Sequence, residues 1–134
     1  MIVKTQHLSG GALIYCLWLV EGGTQHNRNP SMWFFPKRKR AILKGNWKPW
    51  ENKLQAFELM EDHGLCVWQD SEGWHAGAYG VNDELSCFVD AKTPAMALCL
   101  AAITKYLGEH VDLPKEMLPP ESEISPVRLV PGMI

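Results

Sequence analysis

The chain has 134 residues, 46% hydrophobic and 21% charged, with a formal net charge of −2. That length suits one domain with its own core, and the composition excludes global disorder. The longest apolar run, Ala12 to Val20, is about half of the roughly 18 residues a spanning helix needs, and no signal-peptide pattern is visible, so a cytoplasmic protein without membrane contact is expected.

Ser9 is placed to cap a helix over residues 10–21, because its hydroxyl can accept an orphan backbone N–H. Leu13, Leu17 and Val20 recur at helical spacing, Ile14 and Trp18 flank them, and Gly22-Gly23 ends the run. Residues 22–46 break this pattern: "GGTQHNRNPS" is turn chemistry, and "MWFFPKRKRAILKGN" mixes aromatics with cations. Pro36 forbids a central strand, so Trp33-Phe34-Phe35 reads as a short strand or a docking patch within an excursion over 24–46. "KPWENKLQAFELMEDHG" predicts a second helix. Trp50, Leu54 and Phe57 share its expected inward face, widened by Ala56 and Met60, and Gly64 is its stop. The runs "LCVWQ", "GWHAGAYG" and "ELSCFVD", separated by "DSEG" and "VNDE", predict a three-stranded antiparallel meander. In the third run Leu85, Cys87 and Val89 alternate with Ser86, Phe88 and Asp90.

A meander needs a covering layer. "TPAMALCLAAITKYLGE" supplies it: Thr93 caps, and Pro94 sits where its missing N–H costs nothing. Ala95, Leu98, Cys99, Ala102, Ile103 and Tyr106 make one apolar stripe, with Met96, Leu100 and Leu107 as a second flank toward another neighbour. The expected fold is α+β: a three-stranded antiparallel meander packed with helices 51–63 and 94–107 (α-β-β-β-α), plus an N-terminal helix. It forms a single domain over 1–118, followed by a proline-rich tail over 119–134 that is extended or frayed.

The residues "AFELMEDHGL", "GWHA" and "AKTPAMALCLAAITKYLG" resemble the phage ABA sandwich domain, in which two helices pack a meander and a Thr-Pro-x-x-Ala-Leu/Ile-Cys-x-Ala helix closes it. The flanks Leu8 to Leu13, Glu21-Gly22 and Leu107 to Glu116 resemble the NinX-like phage proteins of unknown function. The likeness covers most of residues 8–118 and leaves out the 24–46 excursion. Where the family often has Asp-Trp after the first Ala-Leu, this chain has Ile14-Tyr15. Before the second helix, where the family has Ser/Thr-x-Asp-Trp, it reads Pro49-Trp50-Glu51-Asn52, so no role for that Asp is carried over. The resemblance implies a phage or prophage origin and a fold, without an activity.

No residue set selects a reaction. His63, His75 and His110 are candidates for a metal site or a general base, yet no spacing joins them, and structural or surface roles are expected. Cys16, Cys66, Cys87 and Cys99 form no C-x-x-C pair and are expected to be buried thiols. Neither a metal nor a cofactor is expected, and the acids of the two turns read as solvated. Phosphate-cradling and nucleophile-elbow motifs are missing. The helix-meander-helix order is also that of the double-stranded RNA-binding domain, but only Lys92, next to Asp90, stands at the start of the last helix, so RNA binding there is rejected.

The charge distribution is more informative than its sum. Residues 1–50 hold eight Lys/Arg against Glu21 alone, whereas residues 51–134 hold five against fourteen acids. Lys37, Arg38, Lys39 and Arg40 are consecutive, Lys44 and Lys48 follow, and Trp33, Phe34, Phe35, Trp47 and Trp50 interleave. Cations for phosphate with aromatics for stacking is the composition of single-strand-binding surfaces. The competing expectation is a basic segment that docks on acids, in its own chain or in a partner. A non-enzymatic phage or prophage accessory protein is expected, acting through contact with a protein partner or through self-association; the alternative is a nucleic-acid binder using residues 28–50.

Overall fold

The computed structural model describes residues 1–114; the proline-rich tail lies outside the described residues. In chain order the elements are β1 (Ile2–Lys4), α1 (Gly10–Glu21), β2 (Thr24–Gln25), β3 (Met32–Phe35), β4 (Arg40–Leu43), α2 (Lys53–His63), β5 (Cys66–Asp70), β6 (Gly73–Tyr79), β7 (Leu85–Ala91), α3 (Pro94–Leu107) and β8 (His110–Asp112). The fold is α+β, with antiparallel sheets β2-β3-β4 and β5-β6-β7 and a two-stranded sheet of β1 and β8. None of the helices is long and apolar enough to cross a membrane among the described residues.

Helix limits follow local chemistry. Asn52 Oδ1 accepts the Gln55 N–H at 3.0 Å to start α2, and Thr93 Oγ1 accepts the Met96 N–H at 3.2 Å to start α3. Ser9 precedes α1 but makes no side-chain capping bond, contrary to expectation. Gly22 and Gly64 close α1 and α2 in the left-handed region, at φ 68° and 64°.

The described residues divide into two compact units. The first comprises residues 1–3, 7–47 and 112–114. Its sheet is the supposed excursion, with β3 in the middle. Pro36 does not prevent this, because β3 ends at Phe35 and Pro36 enters the turn to β4. There the Arg38 and Lys39 N–H groups donate to Phe35 O and Pro36 O, both at 3.1 Å, and Lys39 takes a positive φ of 50°. Strand alternation turns Trp33 and Phe35 inward, where Trp18 meets Trp33 at 5.4 Å between ring centroids and Phe35 meets Trp47 at 4.9 Å. In α1, Ala12 and Cys16 are buried along with Leu13, Ile14, Leu17 and Val20, so its buried surface is wider than one amphipathic stripe.

The second unit comprises residues 4–6 and 48–111 and carries the expected α-β-β-β-α order. α3 lies against all three strands and α2 packs beside α3. The buried face of α3 runs from Ala95 to Ile103; Tyr106, expected in that stripe, is exposed. α2 is rotated from the expected phase. Ala56, Leu59 and His63 are buried, with Met60 half-buried, which is an i, i+3, i+4, i+7 stripe. Leu54 and Phe57, expected inward, stand 72% and 53% exposed. Small Ala56 faces inward, and His63 reaches Tyr106 of α3, its Nδ1 lying 3.1 Å from the phenol oxygen. In the meander the register sets Ala76 opposite Val67 and Val89, and His75 opposite Trp68 and Asp90. Adjacent rows face opposite sides. A bulge follows: Ala76 pairs with Val89 but Gly77 pairs with Cys87, leaving Phe88 as the extra residue.

Candidate functional site

His75 is central to the outer row of the meander. Its neighbours come from all three strands: Trp68 on β5, Asp70 at the β5 end, Cys87 and Asp90 on β7. The indole of Trp68 stacks on the imidazole at 5.8 Å between centroids and 29° between planes. His75 Nε2 is 2.8 Å from Asp70 Oδ1, and Nδ1 is 2.6 Å from Asp90 Oδ1. The residue is only 7% exposed, whereas both carboxylates reach solvent.

Each member is held locally. Asp70 also accepts the Glu72 N–H at 2.8 Å, so the β5–β6 turn orients it. Asp90 is gripped through its backbone: Gln6 Nε2 donates to Asp90 O at 2.5 Å, and the Asp90 N–H donates to Gln6 Oε1 at 3.0 Å. Cys87 arrives because of the bulge, which sets it opposite Gly77 on His75's face. Its Sγ lies 3.8 Å from Asp90 Oδ1.

Two carboxylates on two ring nitrogens require both nitrogens to donate, which is the imidazolium. The hydrogen bonds to Asp70 and then Asp90 accordingly raise the His75 pKa above its ordinary value, against a smaller opposing effect of desolvation. Reciprocally, the His75 hydrogen bond and the Glu72 N–H hold Asp70 below the usual carboxylate range. Partial burial, then the Asp90 charge, raise the Cys87 thiol. In this state the cluster has no free basic nitrogen. It is a charged cross-strand clamp that also holds a nitrogen, a sulfur and a carboxylate oxygen within 4.8 Å of one another.

The residues of the basic aromatic segment separate into two sets. Trp33, Phe35, Trp47 and Lys44 are buried in the first unit, and Phe34 is half-buried. Lys44 Nζ donates to Gln25 Oε1 at 2.8 Å and sits 4.2 Å from the centroid of the Trp33 ring, and burial lowers its pKa. Lys37, Lys39, Arg40 and Lys48 are exposed and Arg38 half-exposed. Lys37 Nζ reaches Val20 O at 3.4 Å. The aromatics placed to stack bases are thus largely committed to the core, while the cations of the β3–β4 turn remain at the surface.

The remaining candidates are dispersed. His63 is buried against Tyr106, and the Lys105 ammonium donates to its carbonyl. His110 is exposed on β8. Cys16 and Cys99 are buried as expected, and burial pushes Cys16 up to about 12. Cys66 is half-buried and Cys87 exposed, which corrects the expectation of four buried thiols. Sequence reading singled out His75 but missed Asp70, Cys87 and Asp90 as its neighbours. The hairpin turn "DSEG" carried the signal for Trp68 and Asp70. A strict period-2 reading still leaves Cys87 and Asp90 on opposite faces. The chain matches no protein-family model and no curated protein.

Proposed function

We propose that this chain is a non-enzymatic accessory protein of phage or prophage type that works by docking to protein, with a second copy of itself as the first partner. The observation that carries this reading is the outer face of α2, where Leu54 and Phe57 stand exposed one turn apart. Nothing in the helix requires large apolar residues there, since Ala56, Leu59 and His63 already form its buried face. Exposed Glu51 and Glu61 lie on the same stretch, against one exposed cation, Lys53. The charge split favours a second copy: an acidic, apolar surface fits the exposed Lys37 and Lys39 of the β3–β4 turn. The nucleic-acid alternative loses Trp33, Phe35 and Trp47 to the core and keeps half-buried Phe34 beside its exposed cations.

Sedimentation equilibrium on the full chain tests the reading. Burying one such side chain contributes about 1.5–3 kcal/mol. The double variant Leu54→Ser/Phe57→Ser should therefore weaken self-association on the order of 100-fold or more. A chain that stays monomeric at every concentration overturns the proposal. Sub-micromolar binding to a random oligonucleotide that weakens steeply with salt, by roughly −0.7 in the log–log slope per phosphate neutralised, would promote the alternative.

A further inference from the structure

We infer that His75, Cys87 and Asp90 form a binding site for a divalent transition metal, zinc by preference, on the outer face of the meander. This inference stands apart from the docking reading. A ring nitrogen of His75, the Cys87 Sγ and an Asp90 carboxylate oxygen lie within 4.8 Å of one another, and Nδ1 is the nitrogen that faces Asp90. Zinc–ligand distances of about 2.0–2.3 Å in a tetrahedron set ligand atoms roughly 3.3–3.8 Å apart. The Cys87–Asp90 separation of 3.8 Å already meets that. The His75–Asp90 separation of 2.6 Å must open by less than about 1 Å. The Asp90 side chain is 68% exposed and can make that movement, while its backbone stays held by Gln6.

A second observation is independent of the donor count. A metal-bound histidine almost always gives its other ring N–H to a carboxylate, which fixes the ring and strengthens the donor. His75 Nε2 already points at Asp70 Oδ1 at 2.8 Å, and Asp70 is oriented by the Glu72 N–H. Trp68 stacks on the ring and limits its rotation. The histidine is therefore set to present Nδ1 to a metal shared with Cys87 and Asp90. A nitrogen, thiolate and carboxylate set suits zinc and disfavours magnesium or calcium, which take oxygen. Three protein donors leave one position for water or for a side chain of a partner.

The incoming dication forms bonds to Nδ1, Sγ and a carboxylate oxygen. One proton leaves the imidazolium at Nδ1 and one leaves the thiol; Nε2–H stays on Asp70. No oxidant or reductant is involved.

The test uses the full chain, reduced, stripped with chelator and then titrated with Co2+ alone. The expected result is one Co2+ per chain, a thiolate-to-cobalt charge-transfer band, and displacement of that band by Zn2+. Cys87→Ser should abolish the band, and Asp90→Asn should weaken affinity at least about 10-fold. Both side chains are exposed, so these variants should keep the wild-type circular dichroism. Cys66→Ser should bind as wild type does. Absence of stoichiometric Co2+ binding overturns the inference, leaving the cluster as a clamp of charged side chains. Binding that survives Cys87→Ser with its band intact overturns it equally, because the sulfur would then come from another cysteine.

Discussion

At the scale of single residues, close approach and charge make the sharpest forecasts. Gly77 sits at the bulge, and a Cβ there would fall on the Ser86 carbonyl group, which is backbone and cannot rotate away. Gly77→Ala should lower stability by about 1–3 kcal/mol or more in denaturant unfolding, as overpacking does. An unchanged midpoint would mean that the bulge is absent. His75 gives a pH signature in the metal-free protein. Its pKa is raised above the ordinary 6.5, so its contribution is fully present below pH 6.5 and is lost as pH climbs through the raised value. Asp70 is lowered from 3.8, so its contribution is present above that pH and is lost as pH falls through the lowered value. The stability gap between wild type and His75→Gln should be widest between pH 3.8 and 6.5 and narrow on both sides. A gap that grows steadily into alkaline pH contradicts the imidazolium clamp.

At the scale of elements, the caps and faces of the helices separate what the chain needs from what it merely tolerates. Asn52→Ala and Thr93→Ala each remove a side-chain acceptor from a helix start and should cost about 1 kcal/mol. Ser9→Ala removes no such bond and should stay within about 0.5 kcal/mol, so thermal unfolding of the three variants ranks the caps directly. The faces behave likewise. Leu98 and Ile103 are buried in α3, and replacing either with Ala should cost about 2–5 kcal/mol. Leu54→Ala on the outside of α2 should cost the folded monomer about 0.5 kcal/mol or less. If Leu54→Ala proved as damaging as Leu98→Ala, Leu54 would face the core and α2 would not be rotated.

At the scale of the whole molecule, the charge split would make the proposed self-association depend on ionic strength. Exposed charges are screened beyond about 8 Å at physiological salt. Self-association through the basic turn should therefore weaken as salt rises, and should weaken further when Lys37, Arg38, Lys39 and Arg40 are replaced by Ser. Association that strengthens with salt would leave apolar burial alone to explain it and would remove the basic turn from the contact.

Residue pattern alone was enough for the α+β class, the order of the second unit, the ends of α1, α2 and α3 to within a residue or two, and the buried run of α3. These are local matters: caps, glycine stops and periodicity act over a few residues and need no distant partner. It did not determine which stripe of α2 turns inward, because two apolar stripes compete and only the surface of α3 chooses between them. Nor did it reveal the sheet of the first unit, where Pro36 ends a strand rather than forbidding one and the aromatics read as stackers fill the interior. The His75 cluster was the least legible feature. One extra residue, Phe88, shifts the strand phase and brings Cys87 onto the face that already holds His75 and Asp90. A bulge exists only in the pairing of two strands, so the tertiary structure alone could decide it.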